Sequence, residues 1–176
     1  KVSINANDDV NMSQSSNDVI PTAICISALI DMHRLLLPNL DILIKSIDTK
    51  MLSLKGVTKT GRTHLMDAMP IDFSQELSGW KAQLESCKAN LINSTNRMNE
   101  LPQGGTAIGT GINCHKDFSK NFCTEVNKIS KLKTKPAKNF FQGLSSVDNA
   151  VELSSALKNL SIVLMKISND LRWMNS

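Results

Sequence analysis

Residues 150–174 read AVELSSALKNLSIVLMKISNDLRWM, and this stretch decides the fold class. Its apolar members Ala150, Leu153, Leu157, Leu160, Leu164, Ile167, Leu171 and Met174 recur in alternating steps of three and four, without a break. A repeat of about 3.5 residues sustained over several heptads draws one apolar seam along a long helix packed beside other helices. Two further seams share the spacing. One runs Ile26, Ile30, His33, Leu37, Leu40, Ile44, Ile47, Met51, Leu54, with His33 its only polar member; the other runs Phe73, Leu77, Trp80, Leu84, Cys87, Leu91, Ser94, Met98. The spacing predicts an all-α fold with long helices near 18–55, 72–99 and 146–175, and a shorter one over Phe118 to Ser130.

Composition agrees. The 176 residues are 41% hydrophobic and 20% charged, with five Phe, two Trp and no Tyr. So few aromatic residues weigh against a β-sandwich or barrel. The 20 basic and 16 acidic residues are interspersed and net only +4, so no electrostatic footprint for nucleic acid is present. The longest apolar runs, such as Leu35-Leu36-Leu37, are short, which predicts no membrane span, and no secretory signal is visible. Cys25, Cys87, Cys114 and Cys123 form no C-x-x-C pair and are expected to be reduced thiols.

Caps and breakers punctuate the helices. Asn17 or Asp18 is expected to cap the first helix, with Pro21 in its first turn and Pro38 kinking or interrupting it. Asp72 is expected to cap the second, with Gln75 completing a capping box, and Ser145 or Ser146 the third. Three extended seams in so small a chain leave apolar surface that further chain or partner subunits must cover.

Four segments invite chemical readings. Gly104-Gly105-Thr106-Ala107-Ile108-Gly109-Thr110-Gly111 suggests phosphate binding, but no Lys follows Gly109 or Gly111, and Cys114 stands where a dinucleotide fingerprint needs its third glycine. It reads as a tight loop. His33, His64 and His115 lie far apart and outside metal-ligand spacings, so no metal site is expected. Asn7 to Asp18, dense in hydroxyl and amide side chains, runs into a helix start; it is either a carboxylate or phosphate cradle or a capping loop. Gly61-Arg62-Thr63-His64 places an imidazole beside a hydroxyl and a guanidinium, either for proton transfer or as an ordinary surface loop.

Taken in order, Asn7-Asp8-x-Val10-Asn11-x-Ser13-Gln14-Ser15-Ser16-Asn17-Asp18, Gly61-Arg62-Thr63-His64-x-x-Asp67-Ala68, Gly104-Gly105-Thr106-Ala107-x-Gly109-Thr110-Gly111 and Leu164-Met165-Lys166-Ile167-x-Asn169-Asp170-x-Arg172-Trp173 resemble class II fumarate hydratase, in the fumarase/aspartase superfamily. Ser16, His64 and Gly105 each take the fumarase option over the aspartase one. The resemblance implies a central domain of long, nearly parallel helices in a homotetramer whose active sites are shared between subunits. It further implies reversible hydration of fumarate to (S)-malate without a cofactor, in the bacterial cytoplasm or the mitochondrial matrix. Ser15, Ser16 and Asn17 would hold substrate carboxylate oxygens, Thr63 would add a hydrogen bond, and His64 would activate water or pass its proton. Asn7 and Asp8 would belong to a secondary dicarboxylate site, where Asn5-Ala6 replace the family's His-Pro. The family's G-S-S-x-M-P-x-K-x-N loop, with its catalytic serine, and its S-G-T substrate segment do not occur in this sequence. Residues 1–176 are therefore expected to be the central helical domain of a longer enzyme. The alternatives are a catalytically inactive helical oligomerisation fragment and another superfamily lyase such as aspartase.

Overall fold

The computed structural model describes residues 3–176. The fold is all-α in class. Its elements are α1 (Ser16–Asp31), a π-helical turn (Met32–Leu36), α2 (Leu37–Ser53), β1 (Thr58–Thr63), β2 (Met66–Asp72), α3 (Phe73–Met98), β3 (Glu100–Leu101), α4 (Phe118–Ser130), β4 (Lys135–Pro136), α5 (Phe140–Ser145) and α6 (Asp148–Met174). A single π turn over Ala6–Val10 precedes them. The chain forms two compact units. The first runs to His33 and then from Asn93 to Leu153; the second takes Arg34–Ile92 and Ser154–Ser176.

In the first unit α1 packs on α5 and β3, and α4 on β4. Leu29, Met98 and Leu101 are fully buried there, with Cys25, Cys123 and Leu153 nearly so. β3 and β4 form a short parallel pair. The loop after α4 is tied down by Asn127, whose Nδ2 donates to the Thr134 carbonyl at 2.8 Å while its Oδ1 accepts the Thr134 N–H at 2.7 Å.

In the second unit, α2, α3 and α6 supply Leu40, Ile47, Leu77, Trp80, Leu84, Cys87, Leu91, Leu160 and Ile167 to the core. Polar ties run between the helices. Trp80 Nε1 donates to Asp170 Oδ2 at 3.0 Å, Lys81 pairs with Asp48 at 2.5 Å, and Lys88 pairs with Asp41.

The three seams fare differently. Every α3 member from Leu77 to Met98 is buried. In α6 only one position per heptad is buried, at Leu153, Leu160 and Ile167, while Leu164, Leu171 and Met174 are exposed. The first seam is out of phase in α1, where Thr22, Cys25, Leu29 and Met32 are buried and His33 is exposed. The π turn explains this: its wider repeat inserts an extra residue, rotating the apolar face before α2 restores it at Leu40 and Ile47. Pro38 lies in the first turn of α2, directly after the π turn that interrupts the α-helix, as its missing N–H leads one to expect.

Helix starts also need revision. Ser15, not Asn17 or Asp18, is the N-cap of α1, so Pro21 falls in the second turn. Asp72 caps α3 as expected: its carboxylate accepts the Ser74 N–H at 3.0 Å and the Gly56 N–H at 2.8 Å, and Gln75 Oε1 accepts the Asp72 N–H at 2.9 Å. At α6 the Ser146 hydroxyl donates to the Asp148 carboxylate, and the helix begins at Asp148. One expectation on membranes is corrected. By length and composition alone, the Ser16–Ser53 helix is long and apolar enough to cross a bilayer.

Candidate active site

The start of α1 is built by a reciprocal pair. Ser15 is extended (φ −131°, ψ 155°), its Oγ accepts the Asn17 N–H at 3.2 Å, and its own N–H donates to Asp18 Oδ1 at 2.9 Å. This is a capping box with aspartate in the third helical position. Because Ser15 Oγ serves as acceptor, its hydroxyl proton is left to donate outward. Ser15 is half-buried, whereas Ser16 and Asn17 are exposed.

Asp18 itself is fully buried. Its second oxygen, Oδ2, accepts the N–H groups of Gly104 at 3.0 Å and Thr106 at 2.9 Å. Beside it, Asn17 Nδ2 donates to the Ala107 carbonyl at 2.6 Å, and Gln103 Nε2 donates to Gln14 Oε1 at 3.2 Å. Stripping a buried carboxylate of such partners costs about 1–3 kcal/mol per orphaned group.

The glycine-rich loop turns three further N–H groups on itself. Gly105 N–H reaches the Pro102 carbonyl, and both Gly109 and Gly111 N–H reach the Gly105 carbonyl, at 2.9 and 3.1 Å. The anion this loop holds is therefore the chain's own Asp18, which is the physical reason the phosphate reading fails. Glycine is required at Gly104, where φ is +101° and a Cβ would come within 2.8 Å of Ser119 Cβ.

Thr63 and His64 belong to the second unit, at the tip of the β1–β2 hairpin. Both are exposed. His64 and Leu65 form the two-residue turn, with φ of +52° and +60°, and Thr63 pairs with Met66 across it. Left-handed φ at both central positions is the I′ geometry that matches strand twist, and Asn-Gly is its usual sequence. A bulge lies between Thr60 and Arg62, where a Cβ on Gly61 would come within 2.5 Å of the Met69 carbonyl. Arg62 Nε pairs with Asp67 Oδ1 at 3.2 Å. Among the described residues no hydrogen bond holds the His64 imidazole.

Asn7 and Asp8 are exposed in the first π turn, and Asn5 Oδ1 accepts both their N–H groups, at 2.8 and 3.1 Å. Among the described residues no three His, Cys, Asp or Glu side chains cluster to hold a metal ion. Burial pushes the Cys25, Cys87 and Cys123 thiols up, and Cys114 is raised by burial and by the Asp18 carboxylate. All four are thus held as weakly nucleophilic thiols. A cleft of about 440 Å³ in the first unit contains none of Ser15, Ser16 and Asn17; among its charged lining residues Glu100 pairs with Lys135 at 3.1 Å, Arg97 pairs with Glu152 at 3.0 Å, and Asp148 accepts hydrogen bonds from Ser146 and Gln142.

The structure thus gathers Ser15, Ser16 and Asn17 on one rigid turn and sets Thr63 and His64 on a hairpin of the other unit. Missed from the sequence were the partners of that turn, Gly104, Thr106 and Ala107. The Ser15-x-x-Asp18 spacing signals the capping box, but no local pattern signals a bond across 86 or 88 residues.

Comparison with known proteins adds the following. The Lyase_1 family model, described as lyase, matches residues 1–176. A class II fumarate hydratase from Xylella fastidiosa is 49% identical over 173 residues, 98% of this chain and 37% of that protein. One from Bacillus subtilis is 42% identical over 173 residues, with the same two shares. Among solved structures, a recombinant class II fumarase from Schistosoma mansoni matches with a TM-score of 0.93 at 34% identity, covering 97% of this chain and 39% of that one. A fumarate lyase:delta crystallin from Brucella melitensis, bound to cobalt, gives 0.92 at 36% identity, covering 98% and 37%. The chain spans little more than a third of the length of these relatives.

Proposed function

The chain belongs to the Lyase_1 family of lyases, and from that premise we propose that it forms the central helical domain, residues 1–176, of a fumarate hydratase interconverting fumarate and (S)-malate. The observation that carries this reading is the turn at Ser15, Ser16 and Asn17. Three short polar side chains stand at a helix start, where a buried carboxylate holds the Ser15 N–H and the Ser15 hydroxyl holds the Asn17 N–H. Such a turn offers neutral donors beside the positive end of a helix to a carboxylate oxygen.

Removing the proton next to a malate carboxylate builds a dianionic aci-carboxylate, so donors fixed before the reaction stabilise charge as it develops. Ser15, Ser16 and Asn17 take a substrate carboxylate, Thr63 adds a hydrogen bond, and His64 activates water or passes its proton. No metal or cofactor has a part in this scheme. The catalytic serine and its neighbouring Lys and Asn come from outside this sequence, so the isolated chain is expected to be inactive.

The exposed apolar positions of α6 support assembly with further subunits, as a homotetramer sharing its active sites. The cytoplasm, or a mitochondrial matrix, and the citric acid cycle are the setting this activity fits. A secondary dicarboxylate site at Asn7 and Asp8 has weaker support: an anion seeking their N–H groups must first displace the Asn5 side chain.

The test is product analysis on the whole protein, given fumarate with and without ammonium. Malate formed without ammonium supports the proposal. Aspartate formed only with ammonium would transfer the chain to the aspartase reading, and neither product would leave the inactive oligomerisation fragment.

A further inference from the structure

We propose that Asp18 is a positioning residue for dicarboxylate binding, acting through the glycine-rich loop without touching substrate; the proposal rests on the hydratase reading above. The two segments it joins are far apart in sequence. Asp18 Oδ1 holds the Ser15 N–H at 2.9 Å, and Oδ2 holds Gly104 and Thr106 at 3.0 and 2.9 Å. The carboxylate is 0% exposed, and among the described residues no Lys or Arg pairs with it. Its charge is met by backbone N–H groups and by the positive end of α1.

Two features show what this clamp maintains. Thr106 has φ +59°, a left-handed conformation that a β-branched residue rarely adopts, and it persists only where surrounding bonds over-determine it. The Asp18 bond to the Thr106 N–H is such a constraint. The next residue, Ala107, then presents its carbonyl to Asn17 Nδ2 at 2.6 Å, which fixes the amide's orientation and leaves its second N–H to donate elsewhere. Asp18 thus sets Ser15 directly and Asn17 through the loop.

The test uses the whole protein with the variants Asp18→Asn, Thr106→Gly and the double variant. Asparagine keeps the shape but replaces one accepting oxygen with a donor, so it cannot serve both ends of the clamp. The expected result for Asp18→Asn is a KM for fumarate raised about tenfold or more, with kcat per folded protein within about threefold. Glycine adopts the Thr106 conformation without strain, so the double variant should recover part of the lost KM. An unchanged KM, with activity falling only in step with the folded fraction, overturns the proposal.

Amide hydrogen exchange on the wild-type protein decides the matter if Asp18→Asn does not fold. Gly104 and Thr106 should be protected before any dicarboxylate is added, and equally protected after. Protection that appears only with ligand would mean these groups serve substrate and not Asp18. A wild-type protein that does not hydrate fumarate would sink the functional reading, while the exchange result would still judge the clamp.

Discussion

At the start of α1 a fully buried Asp18 accepts three backbone N–H groups, whereas at the hairpin tip His64 is exposed and holds no hydrogen bond among the described residues. The first region is finished within one chain. Its donors are oriented in advance, as the proposed binding of a charged group requires. The second holds strain instead of contacts: His64 and Leu65 both sit at left-handed φ, and Leu65 is 82% exposed. Strained residues of this kind cluster at functional sites, held here by the hairpin that pairs Thr63 with Met66 across the turn. The contrast teaches that a binding group and a proton-transfer group place different demands on a scaffold. On the proposed roles, one needs fixed geometry and the other an accessible ring.

Breaking the exposed region should have the largest effect on rate and the least on folding. In the whole protein, His64→Asn is expected to lower kcat by about 10²–10⁴, the usual worth of general acid–base catalysis. Asparagine tolerates left-handed φ, so thermal melts should show no change. Near-normal kcat would return His64 to the status of an ordinary loop residue.

Breaking the rigid region should instead weaken binding. Ser16→Ala removes one hydrogen bond to a charged partner, worth about 1.5–3 kcal/mol, and steady-state kinetics should show it as a raised KM with kcat little changed. A collapse of kcat at normal KM would reverse the roles assigned to the two regions.

Smaller effects sharpen the contrast. Leu65→Gly relieves left-handed strain at about 1–2 kcal/mol and adds glycine's entropy cost of about 0.5–1 kcal/mol, so urea denaturation should show a net gain of about 0–1.5 kcal/mol. A loss instead would mean that Leu65 is packed against something in the assembled protein.

Asp72, below the same hairpin, gives a pH-dependent case. The Ser74 and Gly56 N–H groups hold its carboxyl below the ordinary 3.8. A folded-state value below the unfolded one contributes stability that is present above pH 3.8 and lost as pH falls through the folded value. Asp72→Asn should therefore be slightly less stable at neutral pH and lose less on acidification, a difference that denaturation midpoints at the two pH values would read.

Legibility in the sequence followed the range of the forces involved. The α3 seam was readable to its last member because an uninterrupted helix keeps its apolar period, and Leu77 to Met98 are all buried. The α1 seam was misread by one position, since nothing in residues 32–36 announces a π turn, and its extra residue shifts the phase. The hairpin reads in the sequence only as a loop around Gly61 to His64, because His64-Leu65 lacks the Asn-Gly signal of an I′ turn. Ser15, Ser16 and Asn17 were found as a polar run before a helix. The bonds of Asn17 and Asp18 to the loop at 104–107 are invisible there, because pairing across some ninety positions leaves no periodic trace.

The division of labour between the two regions is tested most directly by binding without reaction. Calorimetry with succinate, a saturated four-carbon dicarboxylate that cannot be hydrated, should be run on the whole protein and on its His64→Asn and Ser16→Ala variants. The expected result is an unchanged Kd, within about twofold, for His64→Asn and a Kd raised about tenfold or more for Ser16→Ala. If His64→Asn weakens succinate as much as Ser16→Ala does, the hairpin is part of the binding cradle and the proposed separation of binding from proton transfer is wrong.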